Sequence, residues 1–167
     1  MNTTNPYSAP QSDVVLAQDG TRQLAGRGIR LLAAIIDTVI LLVIMVPLML
    51  VGGYIDTVMS SGGQVPFFTI LMWTLIGFAV FAVVQGFPLN ANGQTWGKRA
   101  LGIRIVDLQG NKPPLGKLLG LRYLPLNVAN AIPMVGPLLG LVNVLLIFRA
   151  DRRCGHDLIA GTQVVSN

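Results

Sequence analysis

The sequence predicts an all-α fold: a polytopic transmembrane bundle of four helices, with a small two-stranded β-ribbon on the cytoplasmic side. Three observations lead to this prediction. Of the 167 residues, 52% are hydrophobic and 11% are charged, whereas soluble domains average about 25% charged residues. Two apolar runs are each long enough to cross a bilayer. The basic residues flank these runs instead of interrupting them.

The first helix is predicted over residues 31–53 and the second over residues 67–89. Residues 31–51 are apolar or small except Asp37 and Thr38, and at 1.5 Å per residue they measure about 31 Å, which matches the hydrocarbon core. The second run contains no charge. Residues 1–25 are polar and aperiodic, which predicts a disordered tail. The membrane domain is predicted over residues 26–165, and residues 166–167 form the C-terminal end.

The third apolar region, residues 115–148, is too long for one straight span. Pro125, Pro133 and Pro137 interrupt it. We expect two short helices, residues 115–132 and 133–148, with Lys117 and Arg122 extending to the cytoplasmic interface. A pair of re-entrant helices would also return the C-terminus to the cytoplasmic side. The alternative is one tilted, kinked span that leaves the C-terminus outside.

The positions of the basic residues predict the orientation. No Lys or Arg lies between residues 31 and 97, whereas basic residues precede the first run, follow the second and cluster again after residue 148. The positive-inside rule then places both termini in the cytoplasm and residues 54–66 outside. The expected partners are the lipid bilayer and its anionic headgroups, and a homo-oligomer or a membrane partner protein is possible.

Two segments outside the membrane resemble strands. Residues 103–108 roughly alternate between apolar and polar side chains and lead into the turn at residues 109–111, and residues 162–165 are rich in residues with high β-propensity. If both termini are cytoplasmic, we expect these segments to pair.

Asp37 is the most informative residue in the sequence. An acidic side chain near the centre of a spanning helix costs about 2.5–3.5 kcal/mol on insertion scales. Such a residue indicates either passage of an ion, proton or ligand, or a buried carboxylate that only fixes the packing of the helices. The polar side chains that could face it lie in the other apolar runs: Gln85, Asn127, Asn130 and Asn143.

The composition argues against catalysis. Glu is absent, His occurs once and Cys occurs once, so we expect no enzyme, no catalytic residue and no cofactor. Residues 93–98 lack the spacing of a phosphate-binding Walker loop. Cys154 and His156 are too few to predict a metal site. The basic residues flank apolar runs, which does not favour nucleic-acid binding. Two small-residue repeats, at Gly116 and Gly120 and at Gly136 and Gly140, predict at most helix packing.

Three segments resemble the RDD family of bacterial membrane proteins, which is named for one arginine and two aspartates. Residues 28–37 read GIRLLAAIID and contain Arg30 and Asp37. Residues 93–107 read GQTWGKRALGIRIVD, with Trp96 where the family more often has Pro. Residues 151–162 read DRRCGHDLIAGT and place the second aspartate at Asp157.

This resemblance implies a multi-pass protein of the bacterial inner membrane. The family's function is unsettled: transport of unidentified ligands has been suggested, and cation/proton antiport is attributed to some members. The leading hypothesis is therefore transport of a cation, proton or small ligand that uses Asp37, with Gln85, Asn127 and Asn130 nearby. The alternative is a non-catalytic membrane scaffold or accessory subunit. We also expect Arg30 and Asp157 to form a charge-assisted bond at the cytoplasmic edge.

Overall fold

Two long apolar helices dominate the computed structural model, which describes residues 23–167. Helix α1 spans Arg27–Val51 and α3 spans Phe67–Asn92. With 25 and 26 residues, each measures roughly 38 Å, which exceeds the hydrocarbon thickness of about 30 Å. Both are therefore candidate membrane spans, as the sequence predicts. The short helix α2, Tyr54–Ser60, connects them.

The predicted division of the third apolar region into two helical pieces is confirmed. The first piece runs from α5 (Leu115–Lys117) through a π-helical segment (Leu118–Tyr123) into α6 (Leu124–Asn130). The second comprises α7 (Val135–Leu145) and a 3₁₀ turn (Leu146–Phe148). They form a hairpin, and its tip contains Met134 with a positive φ of 63°. Each piece measures less than about 25 Å at 1.5 Å per residue, so four membrane crossings remain a prediction.

The predicted β-ribbon is also confirmed. Strand β1 (Ile103–Asp107) pairs antiparallel with β2 (Thr162–Ser166), and Ile105 lies opposite Val164. Residues 23–25 extend this sheet, because the backbone N–H of Ala25 donates to the carbonyl of Val164 at 3.0 Å and Leu24 bridges to Val165. The predicted tail, residues 1–25, otherwise lies outside the described residues. The short helix α8, Gly155–Ala160, precedes β2.

The apolar core lies around the β-ribbon and not between the long helices. We call this part of the molecule the ribbon end. Its buried members come from the chain before α1, from α1, α3 and the π-helical segment, and from both strands: Ala25, Ala33, Leu89, Ile103, Ile105, Leu118 and Val164. Only 6% of the residues in the most apolar 18-residue stretch of each long helix are buried. Lipid tails are as apolar as leucine, so apolar helix faces gain little by packing on one another in a bilayer.

The five-residue helix α4, Trp96–Ala100, packs on the start of α1. The contact requires a residue without a side chain, since a Cβ on Gly97 would lie 2.2 Å from the backbone oxygen of Ala33. A second contact attaches α4 to α3. Pro88 has no N–H to donate to the carbonyl of Val84, and the indole N–H of Trp96 donates to that oxygen at 2.8 Å.

We therefore predict that Gly97→Ala destabilises the protein by about 3 kcal/mol, because the added methyl group meets backbone that cannot move aside. The matched control is Gly86→Ala in α3, where a Cβ would meet nothing within 4 Å, and where the change should be neutral or stabilising by up to about 1 kcal/mol. Thermal unfolding in detergent measures both. Equal melting temperatures for the two variants would contradict the close approach of α4 to α1.

Candidate functional site

One stripe of α1 carries both groups of functional interest. Arg30, Ala33 and Asp37 are its buried residues, and their spacings of three and four residues place them on a single face. This stripe faces the ribbon end of the molecule, where Asp37 and Arg30 each anchor a separate polar cluster.

In the first cluster, the carboxylate of Asp37 accepts three hydrogen bonds. The side-chain amide of Gln85 donates at 3.0 Å, the backbone N–H of Gly97 donates at 2.8 Å, and the hydroxyl of Thr95 donates to the other oxygen. The ammonium of Lys98 lies 3.9 Å from that second oxygen. Asp37 is 9% exposed, so the carboxylate is buried, satisfied and adjacent to a cation.

Of the four amides that the sequence nominates as partners of Asp37, the structure brings only Gln85 to it. Asn127 donates to the carbonyl of Tyr123 in its own helical segment. The side-chain oxygen of Asn130 lies at Gly140, across the α6–α7 hairpin. Asn143 accepts from the backbone N–H of His156 at 3.0 Å. The structure therefore does not bring Asn127, Asn130 or Asn143 to Asp37, because α6 and α7 pack on each other and α7 packs on α8. A role for Asn127 and Asn130 in ion binding stays a prediction.

Of the two small-residue repeats, one lies at a helix contact and the other does not. Gly136 and Gly140 do contact Asn130, and a Cβ on Gly136 would lie 2.5 Å from its backbone oxygen. Gly116 and Gly120 have nothing within 4 Å of the position of a Cβ, so they make no helix contact among the described residues.

Sequence reasoning missed Thr95 and Lys98, which complete the Asp37 cluster. Thr95 precedes α4 and caps it, since its hydroxyl also accepts from the backbone N–H of Lys98 at 3.4 Å. A threonine followed by a short helix is a recognisable capping signal. The sequence contains no signal that this cap would meet α1.

The second cluster is built on Asp157, which is fully buried at 0% exposure. Arg30 donates to one carboxylate oxygen at 2.6 Å, as the sequence predicts, and Arg122 donates to the other. The backbone N–H of Cys154 and the hydroxyl of Thr162 each add a bond at 3.2 Å. Burial acts to raise the pKa of Asp157, but Arg122 and Arg30 outweigh burial and hold that pKa below its usual range.

Arg122 contradicts the expectation that it extends to the membrane interface. Its side chain is 1% exposed, because Asp157 and Thr162 offer it oxygen partners inside the protein. A signal was present in the sequence: Arg122 is the only charged residue within the apolar stretch 118–148. The argument that singles out Asp37 applies equally to an arginine in such a run.

His156 lies beside this cluster and remains neutral. Its Nδ1 lies 2.9 Å from the side-chain oxygen of Asn143, and its Nε2 lies 3.8 Å from Asp157. Burial, reinforced by the nearby Arg122, lowers the pKa of His156 to about 3. Ligand atoms of Cys154, His156 and Asp157 lie within 4.8 Å of one another. Two arginines already bind the carboxylate, however, so the charge balance opposes a metal cation at this position.

We predict that Asp157→Asn lowers the free energy of unfolding by about 3–5 kcal/mol, because it leaves two arginines buried without their counter-charge. The matched control is Arg149→Gln, which breaks the exposed pair between Arg149 and Asp151 and should cost less than about 1 kcal/mol. Chemical unfolding in detergent gives both values. If the two substitutions cost the same, Asp157 does not hold the fold together.

We also predict that acid destabilises the protein through His156. The pKa of this group is about 3 in the folded chain and near 6.5 in the unfolded chain, so below pH 6.5 the unfolded chain binds the proton first. Stability should be complete above pH 6.5 and fall by up to about 1.4 kcal/mol per pH unit between pH 6 and pH 4. His156→Gln, compared by melting temperature across this range, should remove that part of the slope. Identical slopes would refute the assignment.

Comparison with known proteins identifies relatives. The family model described as RDD family matches residues 24–161. The uncharacterized protein YckC of Bacillus subtilis is 32% identical over 142 residues, which cover 84% of this chain and 83% of that protein. An uncharacterized protein of Haemophilus influenzae is 32% identical over 94 residues, which cover 56% of this chain and 58% of that protein. No solved structure gives a significant match.

The family match spans α1, the Asp37 cluster, β1 and α8, and it ends just before Thr162, where β2 begins. It includes Arg30, Asp37 and Asp157, the three residues on which the resemblance depends. The resemblance seen in the three sequence motifs is therefore confirmed, and the chain belongs to the RDD family.

Proposed function

We propose that this chain is a transport protein of the bacterial inner membrane in which Asp37 binds and releases a proton or a small cation. The observation that carries the proposal is the contact between a buried carboxylate on a candidate membrane span and an ammonium group, with Lys98 at 3.9 Å from Asp37. Ionisable groups are expensive within a bilayer and usually mark a pathway for an ion or a substrate.

The surroundings of Asp37 suit such an exchange. Gln85 and Thr95 each carry an oxygen as well as a hydrogen-bond donor, so rotation of the amide or hydroxyl would offer oxygen ligands to a cation. Lys98 would balance the carboxylate while the site is empty. The four groups come from α1, α3 and the segment around α4, so displacement of α4 would open the site.

The orientation of the protein is part of this proposal. The distribution of Lys and Arg along the sequence supports cytoplasmic termini, and the hairpin of α6 and α7 returns the chain to the ribbon end, where α8 contacts both α7 and the π-helical segment. The Asp37 cluster would then lie toward the cytoplasmic end of the spans.

The test is ion flux in proteoliposomes loaded with a pH-sensitive dye, under imposed proton, Na⁺ or K⁺ gradients. Asp37→Asn should reduce flux at least tenfold, because the amide removes the charge that attracts the ion while preserving the size of the side chain. The matched control, Asp56→Asn, changes an exposed acid in α2 and should keep flux within twofold of the parent protein.

Two results would overturn the proposal. One is flux by the folded Asp37→Asn protein equal to that of the parent, where elution volume and melting temperature establish folding. The other is parent flux no greater than that of empty vesicles under every gradient.

A second candidate function is a membrane scaffold that assembles with another membrane protein. It is favoured by the limited burial of the two long helices, since only 6% of the residues in the most apolar stretch of each are buried. Absence of flux, together with chemical cross-linking in cells to one fixed partner, would favour this function over transport.

A further inference from the structure

A cavity of about 280 Å³ separates the start of α1 from the end of α7. Its lining combines apolar residues, among them Leu31, Val144 and Phe148, with the basic residues Arg30, Lys98 and Arg122. Leu31 and Val144 are also more than half exposed, so these apolar residues, here called the apolar wall, continue onto the faces that a bilayer would contact.

The charges around this cavity do not cancel. Arg30 and Arg122 share a single carboxylate, that of Asp157, and Lys98 faces Asp37. Arg27, a fourth basic residue on the cavity wall, makes no ion pair among the described residues and instead donates to the carbonyl of Ile147 at 3.1 Å. These four basic side chains face only two carboxylates, those of Asp37 and Asp157, so positive charges exceed negative ones by two.

Arg122 lines the cavity but is itself almost completely buried. Its Nε has no partner among the described residues and is buried. A buried N–H without an acceptor is unfavourable, and guanidinium groups bind the oxygens of phosphate in a well-matched planar geometry. The cavity thus combines an excess of positive charge with a largely apolar lining, and Arg27 is its exposed guanidinium group.

We propose that this cavity binds a phosphate group and that, where the phosphate belongs to an anionic phospholipid, the attached acyl chain lies along the apolar wall between α1 and α7. The phosphate oxygens would accept from Arg27 and reduce the charge excess. The two chemical sources are an anionic phospholipid of the surrounding leaflet and a free phosphate compound. The proposal rests on the membrane placement described above but not on ion exchange at Asp37.

The experiment is a binding titration of the purified full-length protein in detergent, followed by intrinsic fluorescence and by native mass spectrometry. Short-chain phosphatidate and phosphatidylglycerol are compared with phosphatidylcholine of the same chain length, and inorganic phosphate is titrated separately. We expect the anionic lipids to bind at least tenfold more tightly than the zwitterionic lipid.

The variants use residues whose loss should not unfold the protein. Arg27→Gln should weaken binding of the anionic lipids about tenfold, because it removes one cation from the cavity wall. Arg99→Gln, the matched control, changes an exposed arginine in α4 that stacks on Trp96 and does not line the cavity, and binding should stay within twofold.

Each outcome decides the proposal. Preference for anionic lipid that Arg27→Gln weakens supports a lipid ligand. Equally tight binding of inorganic phosphate, in competition with the lipid, supports the phosphate chemistry and assigns the site to a free phosphate compound. Equal binding of anionic and zwitterionic lipids without any effect of phosphate, or equal effects of Arg27→Gln and Arg99→Gln, overturns it. Because this experiment uses no ion gradient, a negative result would not bear on the ion exchange proposed for Asp37.

Discussion

The buried carboxylate of Asp157 is the constraint on which the rest of the ribbon end depends. It accepts bonds from Arg30 near the start of α1 and from Arg122 in the π-helical segment, and its own helix leads directly into β2. Two guanidinium groups with at most 8% exposure are tolerable only with a counter-charge between them. One side chain thereby holds together segments 127 residues apart in the sequence.

Two prolines shape the helices that carry the polar clusters, because proline has no N–H and leaves a backbone carbonyl of its own helix without the usual donor. Pro88 cannot donate to the carbonyl of Val84, and Trp96 supplies the missing hydrogen bond from α4. Pro125 likewise has no N–H, and the chain widens into a π-helix just before it. In that segment Leu121 is about half exposed, whereas its neighbour Arg122 is buried.

Lys98 belongs to the Asp37 cluster and also lines the cavity. Its ammonium faces Asp37 on one side, and Arg30 and Arg122 line the same cavity. An anion in the cavity would therefore compete with Asp37 for the same positive charge. Such competition gives a physical route by which occupancy of the cavity would alter the proton or cation affinity proposed for Asp37.

The sequence by itself determined the features that depend on local pattern and composition. The long apolar runs predicted α1 and α3, alternation predicted the strands, and the cost of a charge in an apolar run identified Asp37. The motif resemblance identified Arg30 and Asp157 as residues of interest. Each of these follows from residues close together in the chain, or from a motif already associated with a family.

Only the tertiary structure decided which polar groups meet. Gln85, Thr95 and Lys98 surround Asp37, whereas Asn127, Asn130 and Asn143 do not, because the hairpin of α6 and α7 turns its amides toward itself and toward α8. Arg122 is buried for the same kind of reason, since its partner lies 35 residues further along the chain. Hydropathy measures the cost of placing a charge, but it contains no information about which distant side chain compensates for that cost.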